Sequence, residues 1–193
     1  MKKSFLFITI LILVFLSNSC DLLNSDPTKS DLKSISGNFD NWNSGDDKVL
    51  RYGVEDQNGN FMPIGSTPIS SNGAFKFDSL LVPPDYSFES VGEGPFKDGC
   101  TGNVTVSNKN AFVAGVKFVV TDQNPNKIIG KVYHATGEVK DDAVIEVGGF
   151  YTEYVYSKDT LTMGGEKLCV ETDGSIFKNQ IDAKLKIGWN KVT

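Results

Sequence analysis

Histidine is almost absent from this chain, because His134 is the only one among its 193 residues. General acid–base and nucleophilic sites often depend on an imidazole that is paired with a nucleophile and oriented by an acid. The sequence contains no G-x-S-x-G elbow to supply that nucleophile and no closely spaced Cys or His pair typical of zinc sites. We therefore interpret His134 as a structural or partly exposed strand residue and expect no enzyme activity, no cofactor and no metal site.

Basic residues are also scarce. Of the 19 Lys and Arg residues, Lys2 and Lys3 precede position 20, whereas all 24 Asp and Glu residues follow it, so residues 20–193 carry a net charge of −7. No cluster of Lys or Arg offsets this acidity. The composition argues against binding to nucleic acid or to anionic lipid through a basic face.

The chain lacks a hydrophobic run long enough to cross a bilayer. Its longest apolar stretch, residues 5–16, holds 12 residues, against about 20 for a membrane-spanning helix. Two lysines precede this stretch, and the small polar residues Ser17, Asn18 and Ser19 follow it. This order is typical of an export signal that is removed from the mature protein.

A cysteine, Cys20, stands directly after those small residues. This arrangement resembles a bacterial lipoprotein signal, although the usual Leu three positions before the Cys is replaced by Ser17. The resemblance implies a signal peptide over 1–19, lipidation of Cys20, a flexible tether over 20–33 and anchoring in the outer or inner membrane of a bacterial cell envelope, facing the periplasm or the cell surface. Ser17 and Ser19 would also suit ordinary signal peptidase, which would cut the same bond and leave no lipid.

Only two further cysteines exist, Cys100 and Cys169. In an oxidising compartment two thiols allow a single pairing. Closing a loop of about 70 residues would stabilise the fold by roughly 4 kcal/mol. The alternative is two separate buried thiols, since free cysteine is commonly buried.

Helical periodicity is nearly absent after Ser34, and alternation with a period of two dominates. In residues 48–56, Leu50, Tyr52 and Val54 alternate with polar residues or glycine, which predicts a strand with one buried face. Residues 61–70 contain two prolines and are predicted to form an edge strand or loop, whereas residues 111–121 are apolar on both faces and predict a central strand. Ten or more short strands separated by turns predict an all-β, antiparallel sandwich.

Part of this pattern carries a family resemblance. Ile35-Ser36-Gly37, then Asn72-Gly73-Ala74-Phe75-Lys76-Phe77 with Leu80, and then Pro83-Pro84-Asp85-Tyr86 resemble the transthyretin-like (carboxypeptidase regulatory-like) module. The resemblance implies a small sandwich over 34–122 that serves as a spacer or binding module without catalytic residues. Residues 123–193 are predicted to add antiparallel strands on or beside it, and their Gly188-Trp189-Asn190 ending is similar to uncharacterised small bacterial lipoproteins.

Aromatic residues are the remaining candidates for a binding site: Trp42, Tyr151, Tyr154, Tyr156 and Trp189. Exposed rings would stack on a sugar, whereas buried rings would fill the core. The sequence therefore predicts a membrane-tethered, non-catalytic lipoprotein that acts as an adaptor, binding or structural module. The alternative is a lipoprotein that binds carbohydrate or a small ligand through these rings. The expected partners are the membrane, through the lipid, and an envelope protein or glycan.

Overall fold

The computed structural model describes residues 26–92, 100–124, 127–135, 139–140, 144–145, 151–170, 174 and 176–193. For residues 139–140, 144–145, 151, 177 and 179 it describes the backbone alone. Cys20 lies outside these ranges.

The described chain is built from antiparallel strands, which confirms the predicted all-β class. The strands are β1 (Ile35–Asn38), β2 (Val49–Glu55), β3 (Phe61–Pro68), β4 (Ala74–Phe77), β5 (Glu89–Ser90), β6 (Cys100–Gly102), β7 (Thr105–Val106), β8 (Phe112–Thr121), β9 (Ile128–Val132), β10 (His134–Ala135), β11 (Val139–Lys140), β12 (Val144–Ile145), β13 (Tyr151–Ser157), β14 (Leu161–Val170), β15 (Ile176–Leu185) and β16 (Gly188–Val192). A single turn of 3-10 helix lies at Asp85–Ser87. No helix within the described ranges is long and apolar enough to span a membrane.

The largest sheet is centred on β8, as the apolar character of both its faces predicts. Residues 117–121 of β8 pair with β2, and residues 113–116 pair with β13. Strand β9 pairs with β8 from Phe118 onward, and β5 pairs with its beginning. Strand β3 lies at the edge of this sheet, a position in which strands tolerate proline. Asn58-Gly59 makes the turn between β2 and β3, with Gly59 at a φ of +78°.

A second sheet of four strands is formed by β15, β14, β6 and β7. Strands β14 and β15 form a long hairpin in which ten consecutive residue pairs face each other without a register shift. Two-stranded sheets β1–β4 and β11–β12 complete the described architecture.

The main core cluster contains Ile35, Leu50, Tyr52, Ile69, Phe77, Val120 and Trp189. Tyr52 lies at its centre, with its ring edge-on to Phe77 at 5.1 Å and to Trp189 at 5.9 Å. Its hydroxyl accepts a hydrogen bond from the Leu81 backbone N–H at 2.8 Å. Burial raises the pKa of Tyr52, so the phenol stays neutral inside the core.

The two segments predicted from sequence, 34–122 and 123–193, share one sheet and one core. The eight-stranded sheet takes β2, β3, β5 and β8 from the first segment and β9, β10, β13 and β16 from the second. Trp189, near the end of the chain, packs in the same cluster as Ile35. Folding of either segment therefore buries surface of the other.

Residues 28–32, which belong to the predicted flexible tether, are held against the folded strands. The N–H of Ser30 donates to the carbonyl of Ile187, and the N–H of Ile187 donates to the carbonyl of Thr28, each at 2.8 Å. Ser30 Oγ also donates to the Trp189 carbonyl, and Leu32 packs on the main core cluster. The two bonds with Ile187 run between backbone groups, and a polar sequence without a period does not reveal such pairing.

Candidate functional site

An aromatic-lined groove of about 580 Å³ opens where β8 changes its pairing partner. Strand β13 pairs with β8 as far as Tyr154 opposite Val116, and β9 begins to pair at Val132 opposite Phe118. Between these points the edge of β8 passes from one partner strand to the next. The rings of Phe61, Phe118, Tyr133 and Tyr154 line the resulting groove.

Charged side chains of both signs stand around these rings. Lys117 Nζ lies 2.5 Å from Glu55 Oε1. Lys131 and Glu153 also line the groove, and neither forms an ion pair with any residue that the structure describes. The groove thus combines aromatic faces with charged hydrogen-bond donors and acceptors.

Tyr154 joins the groove to the core. Its ring lies 5.4 Å from that of Phe118 in an edge-to-face arrangement. Burial raises the pKa of Tyr154, so its hydroxyl stays protonated and able to donate at neutral pH. That hydroxyl makes no hydrogen bond with any described residue.

The other aromatic candidates are placed differently. Trp189 is only 4 % exposed and packs edge-on against Tyr52 and Tyr156. Trp42 is half-buried, stacks near Phe39 and donates its Nε1–H to the Gly45 carbonyl at 2.8 Å. Trp189 is therefore part of the core, whereas Trp42 keeps part of its surface exposed.

Two tyrosines complete the set of candidates. Tyr156 is half-buried against Phe88 and Trp189, and the side chain of Tyr151 lies outside the described part of the molecule. Tyr154 is the candidate that the structure places in the groove, together with Phe61, Phe118 and Tyr133, which sequence reasoning missed. Strand periodicity assigns these three rings to faces but does not indicate where two strands separate.

No family model, curated protein or solved structure matches this chain.

Cys100 and Cys169 form a disulfide. They face each other directly on β6 and β14, with their Cα atoms 4.0 Å apart. Sequence reasoning left open whether these thiols were bonded or separately buried, and the structure joins them. The bond lies in the four-stranded sheet, apart from the residues that line the aromatic groove.

A second cavity of about 670 Å³ lies beside Glu55, Asp56, Tyr86 and Glu89. The carboxylate of Asp56 already has hydrogen-bond partners there. It accepts hydrogen bonds from the Asn58 N–H at 2.8 Å and from Asn60 Nδ2 at 3.1 Å. These hydrogen bonds, chiefly those from Asn60, lower the pKa of Asp56 and fix the β2–β3 turn. The carboxylate therefore has a structural role in this cavity.

His134 is exposed on β10, opposite Thr152 of β13. No group of three His, Cys, Asp or Glu side chains within the described ranges is arranged to hold a metal ion.

Proposed function

We propose that this protein is a lipid-anchored, non-catalytic binding module of the bacterial cell envelope. The disulfide between Cys100 and Cys169 is the observation that carries the proposal. Disulfides form and persist in oxidising compartments outside the cytoplasm, and the apolar leader before Cys20 would deliver the chain there.

The short segment between Cys20 and the residues docked on the fold supports attachment close to a membrane. Lys29, which bridges to Ile187, lies nine positions after Cys20. Nine extended residues span at most about 30 Å. A lipid on Cys20 would thus hold the folded strands within about that distance of the bilayer.

The groove lies toward the opposite end of β13 from this attachment. Residues 28–30 dock beside Ile187 and Gly188, and Gly188 faces Ser157 at the end of β13. The groove residues Thr152 and Tyr154 lie up to five positions back along the strand, a separation of about 17 Å at 3.4 Å per residue. A partner could therefore reach the groove while the other end remains near the membrane.

The groove also favours a second candidate function, which is binding of a carbohydrate or another small ligand. Its volume of about 580 Å³ lies within the usual range for small-molecule sites, which combine apolar walls with a few polar groups. Tyrosine offers both a flat ring and a polar hydroxyl to such a ligand. A glycan would stack on Tyr133 or Tyr154 and hydrogen-bond to Lys131 or Glu153.

Lipidation is tested with a Cys20→Ser variant expressed in bacteria with labelled palmitate. We expect the wild-type chain to take up label and to fractionate with membranes, and the variant to lose both properties, because the thiol is the acceptor of the lipid. Equal labelling of the two chains would contradict the anchor. Cleavage after Ser19 without label would contradict the anchor but support export.

Ligand binding is tested by screening the purified full chain against a glycan array and comparing Tyr133→Ala with Tyr86→Ala. Tyr133 is 46 % exposed and lines the groove, whereas Tyr86 is 63 % exposed and lies outside it. We expect Tyr133→Ala to weaken binding about tenfold, or about 1.4 kcal/mol, and Tyr86→Ala to leave it unchanged. Equal weakening by both variants would contradict binding in the groove, and no glycan bound by the wild-type chain would contradict carbohydrate binding. Either result would leave the lipid-anchored module unaffected.

A further inference from the structure

Strand β15 forms a long, open edge of the four-stranded sheet. Its ten residues pair along their whole length with β14, and no described residue pairs with its other side. An edge of this kind presents a row of free N–H and C=O groups that can pair with another strand. The strand contains no proline, and its continuous register with β14 shows no bulge that would bend the edge.

The side chains of β15 separate cleanly between two faces. Ala183 and Leu185 are buried against the core. The opposite face is exposed and carries Ile176, Lys178, Gln180, Asp182 and Lys184. This solvent face carries charges of both signs, so a second copy of the strand can place an opposite charge directly across from one of them.

We propose that β15 is a dimerisation edge, along which two copies of this chain pair antiparallel about Gln180. A two-fold axis perpendicular to the sheet keeps the solvent faces of both copies on the same side. Gln180 then faces Gln180 of the second copy, and Lys178 faces Asp182 of the second copy. Symmetry repeats that ion pair, so one interface contains it twice.

The charges select this register over its neighbours. Moving the centre of pairing to position 181 places Lys178 opposite Lys184, and moving it to position 182 places Asp182 opposite itself. Centring at position 179 places Lys178 opposite Gln180 and leaves no opposite charges facing each other. Opposite charges directly across an antiparallel pair stabilise it, whereas like charges destabilise it, so pairing about Gln180 is favoured.

Within the described ranges, few existing ion pairs compete with these contacts. Asp182 and Lys184 form no ion pair with any residue that the structure describes. Lys178 Nζ lies 2.8 Å from Glu166 Oε1, but an ammonium group has three donors and can bridge two carboxylates. Ile176, which is 65 % exposed, would lie opposite the methylene stem of Lys184 and be partly covered by it.

The resulting dimer would join two four-stranded sheets into one continuous sheet of eight strands. Because a single strand pair is a small interface, we expect a weak, closed dimer rather than an obligate one. The proposal does not depend on a lipid at Cys20 or on a ligand in the groove. A test that contradicts the proposed function would therefore leave the dimerisation proposal unaffected, and the reverse also holds.

The register is tested by cysteine cross-linking of the purified full chain, expressed with its leader. Gln180→Cys places two thiols directly opposite each other across the two-fold axis. Lys184→Cys is the matched control, because the two copies of position 184 would be eight residues apart along the pair, or about 27 Å. We expect Gln180→Cys to form a disulfide-linked dimer on oxidation, with at least tenfold less from Lys184→Cys. Equal cross-linking of the two variants, or none from Gln180→Cys, would overturn the proposal.

The ion pairs are tested by charge complementation in sedimentation equilibrium. We expect Lys178→Glu and Asp182→Lys each to weaken self-association at least tenfold, because each places like charges opposite one another. An equimolar mixture of the two variants should associate again, since Lys178 then faces Asp182 and the two substituted residues face each other. Near-UV circular dichroism checks that both variants are folded. A wild-type chain that is monomeric at every concentration, or a mixture that associates no better than its components, would contradict the proposal.

Discussion

Removing the disulfide with Cys100→Ala and Cys169→Ala is expected to lower the free energy of unfolding by about 4 kcal/mol. The bond joins residues separated by 69 positions. Closing a loop of that length restricts the unfolded chain by about this amount in the chain-entropy model. A loss of this size is a large part of the total stability of an ordinary domain.

Because of where the disulfide lies, we expect its removal to loosen one part of the native state rather than the whole fold. It joins β6, a strand of three residues, to the long β14–β15 hairpin. A strand so short has few ladder hydrogen bonds of its own to hold it in the sheet. Without the bond we expect β6 to detach more easily than the large sheet around β8.

Urea unfolding of the purified chain at neutral pH measures this loss. Reducing the wild-type protein should reproduce it, and the Cys20→Ser variant, which retains the bond, should unfold like the wild type. A double variant within 1 kcal/mol of the wild type would contradict the expected contribution.

The second large effect is expected at the centre of the core, where Tyr52→Ala should lower the free energy of unfolding by about 4 kcal/mol. Tyr52 is 1 % exposed. Its ring contacts Phe77 on one side and Trp189 on another, and it lies 5.9 Å from the ring of Phe118. Truncation would leave a cavity at the junction of β2, β4, β8 and β16.

Neighbouring backbone prevents the site from collapsing to fill that cavity. Gly65, opposite Tyr52 on β3, approaches so closely that a Cβ built on it would lie 2.3 Å from the Tyr52 ring. The glycine therefore makes room for the ring, and it pairs with Tyr52 in the β2–β3 ladder beside the register shift at Gly53. A cavity with rigid walls retains the full cost of the lost contacts.

Thermal and urea unfolding of Tyr52→Ala measures this effect, with Tyr86→Ala as the matched control. Tyr86 is exposed, so its truncation should change stability by less than about 0.5 kcal/mol. Similar losses in the two variants would contradict the central role of Tyr52 in the core.

The sequence by itself determined the all-β class and the character of individual strands. Alternation around Leu50 and Tyr52 is a local property, and it identified β2 and the face that carries these residues. It did not reveal that Val49 and Gly53, on the other face, are buried as well. The prolines in residues 61–70 placed β3 at an edge, and apolar residues on both faces of residues 111–121 placed β8 at the centre. These features can be recognised because each depends on residues a few positions apart.

The tertiary structure alone decided which strands meet. It brought Trp189 beside Tyr52, opened a groove at Tyr154 where β9 replaces β13, and docked residues 28–30 on Ile187. It also placed Cys169 opposite Cys100, where the sequence allowed either a bond or two free thiols. The physical reason is that a period of two assigns a side chain to a face of its strand. The partner strand is chosen by burial and hydrogen bonding summed over the whole fold.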